Sequence, residues 1–371
     1  MRQFFILTLF IFLISCGGDD SLDSQNSNSQ NNSENNNGDS GSDNSSNSDW
    51  LYPKDEIFDG GPGKDGIPSL DSPNLVSSDD PGASYLNNSD LIIGVYKNGI
   101  AKAYPHKILD YHEIVNDEFG RAFVTISYCP LTGTAFGWES NSNNEFSEFG
   151  VSGLLYNANL ILYDRNTDSN WSQLGMKCIN GELIEDEPRL IHVVETTWGQ
   201  WKAMYPDTSV LSDDTGFNRF YEVYPYGSYK VNHDYFIFPA SPSNDALPNK
   251  ERVFAIIDWF SEKSKVYQFN DFSGGNSFKD FYRGKQYLVV GDESTIQAFE
   301  LGTGFDDVEF EYSYENSDVF FTDSLGNEWS VFGEAISGPN RGSKLNAARS
   351  VISYWFAIAA FYPNPTRYYS N

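Results

Sequence analysis

The feature that most constrains the fold of this chain is an approximate internal repeat, which relates residues of about 90–211 to residues of about 252–369. The matched segments keep their order: Ile93-Gly94-Val95, Lys102-Ala103-Tyr104 and Asn170-Trp171-Ser172 correspond to Val253-Phe254-Ala255-Ile256, Lys265-Val266-Tyr267 and Glu328-Trp329-Ser330. Ordered matches of this kind argue against chance similarity in a chain with 16% aromatic residues. Because a repeated sequence indicates a repeated architecture, we expect two pseudo-equivalent tandem halves packed as one unit.

Within each copy, apolar and polar residues mostly alternate with a period of two, which is typical of β-strands. Residues 123–128 alternate in this way and follow the turn-forming stretch 116–120, so the sequence predicts a hairpin. Further strands are predicted at 154–163, 235–238, 252–259 and 286–290. The spacing Thr197-Trp198-Gly199-Gln200 predicts the start of a short helix that Pro206 ends. The expected fold class is therefore mainly β with a few short helices, a β-rich α+β fold.

Residues 1–16 have the pattern of a lipoprotein signal peptide. The apolar run 4–14 is too short to span a bilayer. Leu13-Ile14-Ser15-Cys16 resembles the lipobox of bacterial lipoproteins, which implies cleavage before Cys16 and attachment of acyl chains, palmitate among them, that anchor the protein to a membrane. Gly17-Gly18-Asp19-Asp20 resembles acidic signals for the outer membrane, so we expect a lipid-anchored protein of the cell envelope. An ordinary signal peptide with an incidental cysteine is the alternative.

Residues 17–50 predict a disordered tether between this anchor and the folded body, which comprises residues 51–371. The stretch is rich in Asn, Ser, Asp, Gly and Gln, and its apolar side chains are too few to offset the entropy of ordering. A flexible chain of this length has a root-mean-square span of about 30 Å. The tether is therefore long enough to hold the body clear of lipid headgroups.

The net charge of −28 is shared between the tether and the body. Residues 17–50 contain seven acidic residues and no Lys or Arg, whereas residues 51–371 contain 45 acidic and 23 basic residues. A body this acidic repels phosphate backbones, which argues against nucleic acid as a partner. We interpret the charge as a source of solubility at a membrane surface.

Cys129 and His112 are the centre of the candidate site. Cys129 ends a predicted strand at the turn 130–134, where backbone NH groups and hydroxyls can stabilise a thiolate. The predicted hairpin brings His112 and Glu113 toward that strand. The imidazole can then deprotonate the thiol while the carboxylate of Glu113 or Asp117 orients the ring. The same His112 and Cys129 can instead be ligands of a copper or zinc ion.

Other roles for these residues stay open. Two cysteines in an oxidising compartment often pair, and Cys178 is the available partner for Cys129 once Cys16 carries lipid. Cys129 can also be a buried, inert thiol, and His112 a hydrogen-bonded structural residue. Asp65 lies in a turn-rich stretch, from which it can approach the site or cap a turn.

Several further motifs lie between residues of about 57 and 369. They are Gly60-Gly61-Pro62-Gly63-Lys64-Asp65, His112-Glu113-Ile114-Val115-Asn116-Asp117, Tyr128-Cys129-Pro130-Leu131-Thr132-Gly133-Thr134, Pro225-Tyr226-Gly227 and Lys250-Glu251-Arg252-Val253. Together these motifs resemble the domain of unknown function family 3179 (DUF3179). The resemblance implies a secreted or membrane-attached bacterial or archaeal protein with no established activity. Many relatives have a second cysteine where this chain has Thr132, so this protein would lack a Cys-x-x-Cys redox pair, whereas a single-Cys mechanism or a metal site survives the change.

Two functional hypotheses follow from the sequence. In the first, the protein is a cell-envelope enzyme or a metal-handling protein that uses Cys129 with His112, while Glu113 or Asp117 orients the imidazole and Asn116 fixes the turn. In the second, it is a non-catalytic, surface-tethered module that binds a polysaccharide, a peptide or another envelope partner. The sequence does not identify the substrate, the metal or the partner.

Overall fold

The computed structural model describes residues 49–142 and 145–369, which belong to one compact unit. The predicted signal peptide, the lipid attachment site Cys16 and nearly all of the predicted tether lie outside the described residues. Within the described ranges, no helix is both long and apolar enough to cross a membrane.

The protein is mainly β with a few short helices, as predicted. The α-helices of the described chain are α1 His106–His112, α2 Trp198–Met204 and α3 Trp355–Phe361. The strands up to residue 211 are β1 Ile57–Asp59, β2 Leu70–Asp71, β3 Leu75–Ser77, β4 Leu91–Lys97, β5 Ile100–Pro105, β6 Ile114–Phe119, β7 Ala122–Cys129, β8 Thr134–Glu139, β9 Asn141–Ser142, β10 Glu145–Phe146, β11 Phe149–Tyr156, β12 Asn159–Asp164, β13 Asn170–Ser172, β14 Lys177–Asn180, β15 Leu190–Ile191, β16 Val194–Thr197 and β17 Ser209–Leu211. The strands after residue 251 are β18 Arg252–Asp258, β19 Lys263–Gln268, β20 Asn276–Tyr282, β21 Lys285–Gly291, β22 Ile296–Leu301, β23 Phe310–Tyr312, β24 Phe321–Asp323, β25 Glu328–Trp329, β26 Ala335–Ser337, β27 Asn346–Ala347, β28 Ser350–Tyr354 and β29 Thr366–Arg367.

The strands form several open sheets, in which most neighbours are antiparallel. The sheets before residue 212 have the strand orders β1-β11-β12-β13-β14, β15-β8-β7-β6-β2 and β16-β4-β5-β17-β3, and β9 pairs with β10. The later sheets have the orders β28-β18-β19-β29, β20-β21-β22-β27 and β23-β24-β25-β26. The pairs β2–β6, β5–β17 and β19–β29 are parallel.

Two of these sheets, one from each predicted half, are built in the same way. In each sheet an outer strand, β16 or β28, leads directly into a helix, α2 or α3. A strand that follows the helix, β17 or β29, then returns to pair in parallel with the hairpin strand β5 or β19. Duplication of the whole halves stays a prediction, which this shared arrangement supports.

Each half also contains a contact between a lysine, a tyrosine and an aspartate, which is buried in the first half and partly buried in the second. In the first half, the Lys102 Nζ donates to Asp117 Oδ1 at 2.9 Å, and the Tyr104 hydroxyl donates to Asp117 Oδ2 at 2.7 Å. The same atoms make the same contacts in the second half, among Lys265, Tyr267 and Asp280. Asp117, which the sequence analysis placed beside the candidate site, therefore joins β5 to β6.

The strands predicted at 252–259 and 286–290 are confirmed as β18 and β21. The single strand predicted at 154–163 is wrong, because a turn at Asn157 and Ala158, both with positive φ, divides it between β11 and β12. The predicted hairpin and helix start are confirmed, whereas the strand predicted at 235–238 is also wrong. Strands β6 and β7 pair as a hairpin, and Thr197 caps α2 by accepting a hydrogen bond from the Gln200 amide at 3.3 Å. Residues 235–238 form no strand but lie in an irregular segment. Their aromatic side chains pack singly on the core, as Phe236 does against Phe356 with ring centroids 4.9 Å apart. Aromatic side chains therefore produced a strand-like pattern without strand pairing.

The buried Lys102–Asp117 pair gives a stability prediction. Asp117→Ala leaves the Lys102 ammonium without its counter-charge in a site that is 9% exposed, so we expect a loss of about 3–5 kcal/mol in the free energy of unfolding. Denaturant unfolding of the chain from residue 17 onward measures this loss. The control is the Asp117→Ala, Lys102→Met double variant, which should lose less than Asp117→Ala alone. A single variant within about 0.5 kcal/mol of the parent would show that the pair does not stabilise the fold.

Candidate functional site

A cleft with a volume of about 390 Å³ lies at the junction of the two predicted halves. Helix α1, β16 and the end of β7 contribute to one part of its lining, and the start of β18 and the end of β28 contribute to the other. Its charged and aromatic lining residues are Asp90, His106, Lys107, Asp110, Tyr128, Glu195, Lys230, Lys250, Arg252 and Tyr354.

The Thr132 carbonyl holds the two parts of this cleft together. It accepts hydrogen bonds from the Tyr354 amide at 2.8 Å and from the Ser353 hydroxyl at 3.1 Å. The neighbouring Gly133 has a φ of +62°, and a Cβ there would lie 3.2 Å from the Tyr354 ring. A glycine at this turn therefore lets β28 approach the β7–β8 connection closely.

The same strand pairing places the basic residues of the cleft. In the antiparallel pair of β18 and β28, Arg252 lies opposite Tyr354. Just before β18, the Lys250 amide donates to His233 Nδ1 at 3.0 Å, which fixes the backbone at this position. Lys250 and Arg252 thereby reach a cleft whose other side includes α1 and the end of β7, which lie more than a hundred positions earlier in the chain.

Residues 212–251, which we call the strap, connect β17 to β18 and contain the short turn Tyr229–Val231 but no strand. The strap is tied to the residues around α1 by tyrosine hydroxyls. Tyr224 donates to the Pro130 carbonyl at 3.2 Å, and Tyr226 is hydrogen-bonded to the Glu113 carboxyl group. The strap thus contacts α1 and the loop after β7, and it contributes Lys230 and Val231 to the cleft.

Two carboxyl groups of this region are shifted toward the neutral form. Burial raises the pKa of Asp110 to about 7, an effect that the positive charge of Lys230 opposes. Burial also raises the pKa of Glu113 to about 8, opposed by the hydrogen bond from Tyr226 and increased by the nearby Asp110. Both groups therefore exchange protons near neutral pH, which is unusual for carboxyl groups.

The pKa of Lys250 also shifts toward the value that favours the neutral form, and the cause is again burial. Burial lowers the pKa of Lys250 to about 7. Its Nζ lies 3.6 Å from the ring centroid of Tyr229, 4.0 Å from that of Phe236 and 4.4 Å from that of Phe356. These ring faces favour the charged amine, whereas removal from water favours the neutral amine. The two forms are therefore close in free energy at neutral pH.

Three buried polar atoms in this region have no hydrogen-bond partner among the described residues. They are Lys250 Nζ, His106 Nε2 and the Tyr229 hydroxyl. The carboxylate oxygen of Glu195 is 3.7 Å from His106 Nε2, too far for a hydrogen bond. Native proteins rarely leave buried polar atoms unpaired. Of the three residues, Lys250 and His106 line the cleft, so a ligand that reaches their unpaired atoms would supply the missing partners.

The cleft is also less acidic than the rest of the body. Four basic residues line it, Lys107, Lys230, Lys250 and Arg252, against three acidic residues, Asp90, Asp110 and Glu195. Lys107 pairs with Asp90 at 2.6 Å, and Arg252 pairs with Glu195. Because Asp110 is partly protonated near pH 7, the local charge is positive in a strongly acidic protein. A positive, partly enclosed cleft attracts anions.

The structure places His112 away from the cleft lining. Its Nδ1 donates to the Pro68 carbonyl at 2.8 Å, so its Nε2 accepts from the Tyr221 hydroxyl at 2.7 Å. Burial lowers the pKa of His112, so the ring is neutral at pH 7. Both ring nitrogens are thus engaged, and the Glu113 carboxyl group contacts Tyr226 instead of the imidazole.

Cys129 is buried at the end of β7, where its Sγ donates to the Ala158 carbonyl at 3.6 Å. Burial raises the pKa of this thiol to about 11, and the nearby Glu113 adds to the rise. The thiol is therefore protonated at neutral pH. Cys129 and Cys178, the two cysteines of the described chain, are both free. Of the predicted site residues, Glu113 and Cys129 come together, whereas His112 and Cys129 bond to different partners.

The predicted supporting residues make structural contacts. Asn116 bonds to Asp71 at 2.6 Å and to the Phe149 carbonyl at 2.9 Å. The Thr132 hydroxyl accepts from Asn159 at 2.9 Å, and Asp65 accepts from the Tyr163 hydroxyl. Within residues 49–142 and 145–369, no group of three or more His, Cys, Asp or Glu side chains is arranged so that it could hold a metal ion.

Sequence reasoning missed Asp110, His106 and Lys250. His106 and Asp110 lie on α1, a helix too short to show a clear 3.6-residue pattern. Lys250 belongs to the family-like motif Lys250-Glu251-Arg252-Val253, but the sequence predicted no functional role for it. The available signal was two cationic residues at a predicted strand start, Lys250 just before the strand and Arg252 at its first position, because buried charge there requires a partner or a role.

The shifted pKa of Glu113 predicts how stability depends on pH. A carboxyl group whose folded pKa is raised from 4.5 to about 8 holds its proton more tightly in the folded state, so folding stability falls as pH rises through this range. Glu113→Gln, which keeps a neutral side chain, should therefore gain stability relative to the wild type between pH 5 and 8. Urea unfolding of both proteins at several pH values measures the difference. A constant difference across this range would contradict the assignment.

No curated protein and no solved structure matches this chain. The model of a family described as "Protein of unknown function (DUF3179)" matches residues 64–365, which is most of the chain. The protein therefore belongs to the DUF3179 family.

Proposed function

We propose that the protein is an enzyme that binds a small organic anion in the cleft and performs acid–base chemistry on it. The observation that carries the proposal is the Lys250 amine, which is buried at the cleft without a hydrogen-bond partner in the described chain. A carboxylate or phosphate oxygen is a suitable partner for such an amine. His106 Nε2, the second unpaired atom of the lining, can bond to the same ligand.

The neighbouring groups provide the acid and the base. A general acid or base works best when its pKa is close to the working pH. The pKa values of Asp110 and Lys250 are both about 7, and both groups line the same cleft. One can therefore donate a proton to a bound anion while the other accepts one. Arg252 and Lys230 attract the anion, and the paired Glu195 keeps the guanidinium in place.

The contacts favour this assignment over the hypothesis based on Cys129 and His112. Reaction through Cys129 would require loss of a proton from a thiol with a pKa of about 11. Reaction through His112 would require release of its bond to Pro68 or to Tyr221. We assign Glu113 and Cys129 a supporting position beside Tyr226, adjoining the cleft-lining Asp110.

The alternative is a non-catalytic module that uses the same cleft to bind an anion. A second cavity, of about 400 Å³, is lined by Trp138 and Trp171 together with several carboxylates. Both indole rings are more than nine-tenths buried, so neither presents an open platform for a polysaccharide. The cleft with Lys250 is therefore the better candidate for a binding site under either hypothesis.

Anion binding should depend on Lys250 and on pH. We expect butyrate to bind the wild type about tenfold or more tightly than Lys250→Met, because the variant loses the charged hydrogen bond. Affinity should fall as pH rises through about 7, where the amine loses its charge, and this pH dependence should be absent in Lys250→Met. Protein-observed NMR titration measures both effects. The control is Lys285→Met, which removes an exposed lysine that pairs with Glu300.

Loss of substrate distinguishes an enzyme from a binding module. A mixed panel of organic acids is incubated with the wild type, with Asp110→Asn and with Lys250→Met, and is then analysed by mass spectrometry. An enzyme depletes at least one acid, and both variants are slower. Butyrate binding without depletion of any acid would favour the binding module. Equal butyrate affinity in the wild type and Lys250→Met would contradict both hypotheses.

We also propose that the protein is a lipoprotein anchored in the cell envelope, in the outer membrane, through acyl chains on Cys16. The leader, the lipobox-like Leu13-Ile14-Ser15-Cys16 and the polar tether support this location. Cys16→Ala should abolish incorporation of an alkyne-labelled palmitate and release the protein from the membrane fraction. Cys178→Ala, the control, should remain labelled. Unchanged labelling of Cys16→Ala would contradict lipidation at this residue.

A further inference from the structure

Exposed apolar side chains are concentrated in the strap. Thirteen large apolar residues are exposed among the described residues, and six of them lie between residues 217 and 237. These six are Phe217, Phe220, Val223, Val231, Tyr235 and Ile237. Single exposed apolar residues are common on protein surfaces, so it is the occurrence of six within 21 consecutive residues that makes the strap a candidate binding segment.

The backbone of the strap is fixed, so these side chains are not exposed by looseness of the chain. Tyr111 follows the cleft residue Asp110 on α1. Its hydroxyl donates to the Phe220 carbonyl at 3.0 Å and to the Val223 carbonyl at 2.6 Å. With this backbone attached to α1, Phe220 remains 69% exposed and Val223 remains 53% exposed. The protein therefore holds apolar side chains in water beside the helix that lines the cleft.

The apolar surface reaches the cleft itself. Val231 is 70% exposed and is also part of the cleft lining, next to Lys230. Tyr235 packs against Tyr229, with ring centroids 5.8 Å apart, and the Tyr229 ring in turn contacts Lys250 Nζ. The exposed Tyr235 is thus connected to the unpaired amine of Lys250 through one intervening ring, that of Tyr229.

A ligand that satisfies both features has an anionic head and an apolar chain. We propose, on the basis of the proposed function, that the ligand of this cleft is a single-chain anionic amphiphile. Its head bonds to Lys250 and lies near Arg252, and its chain lies on the strap from Val231 outward. Charge complementarity fixes the orientation, because the body outside the cleft is acidic and repels the head.

Chain length provides the test. Full burial of a methylene group strengthens binding about fourfold, and burial of one side on an open surface about twofold. We therefore expect the affinity for decanoate to exceed that for butyrate by about tenfold or more. The measurement is NMR or calorimetric titration of the chain from residue 17 onward, which contains the whole compact unit, with each acid below its micelle concentration.

Variants of the strap separate the chain from the head. Phe220→Ser with Val231→Ser should remove most of the gain in affinity from butyrate to decanoate. The butyrate affinity itself should fall by about twofold or less, because the Lys250 contact remains and only the short chain of butyrate reaches the cleft-lining Val231. The matched control is Phe281→Ser, which removes a phenylalanine that is 67% exposed on β20. This control should keep the full gain.

The possible failures are distinguishable. If butyrate and decanoate bind with equal affinity, and Lys250→Met loses binding of both acids, the amphiphile proposal is overturned and the anion site stands. Affinities that Lys250→Met does not change overturn both proposals. Sedimentation with phosphatidylglycerol vesicles that depends on Phe220 and Val231 but not on Lys250 indicates docking to a bilayer, which also overturns the single-chain ligand.

Discussion

The rest of the site depends on the Thr132 carbonyl, which accepts hydrogen bonds from Ser353 and Tyr354 across 221 residues of sequence. These bonds attach β28 to the turn after Cys129. They thereby also position β18, because β18 pairs with β28. Two of the four basic residues of the cleft lie here, Lys250 just before β18 and Arg252 at its first position. A small polar contact in the backbone thereby brings an amine and a carboxyl group from distant parts of the chain to one cavity.

Removal from water then determines the chemistry of that cavity. Burial is the largest cause of the raised pKa values of Asp110 and Glu113 and of the lowered pKa of Lys250. In water, the pKa values of a carboxyl group and an amine differ by more than six units, yet here Asp110 and Lys250 ionise near the same pH. The same burial makes the Cys129 thiol less acidic and therefore less reactive. One physical effect thus favours proton transfer by Asp110 and Lys250 and disfavours a thiolate.

The sequence predicted the β-rich class and the hairpin of β6 and β7, because alternation and turn residues are local signals. It predicted only part of the site, because neighbouring residues can face different partners. Glu113 has a φ of +58° at the end of α1, so the chain turns sharply between His112 and β6. His112 consequently bonds to Tyr221, while Glu113 contacts Tyr226. Lys250 was missed because its place depends on non-local strand pairing, which no local pattern encodes.

The most direct test of this account is an NMR titration of the Lys250 side chain in protein with carbon-13-labelled lysine, with Lys250→Met to assign the signal. We expect a pKa of about 7 for Lys250 in the free protein. At saturating butyrate we expect a higher pKa, because a bound anion stabilises the charged amine. A pKa near 10.5 that butyrate does not change would contradict the central claim that Lys250 is a buried amine awaiting an anionic ligand.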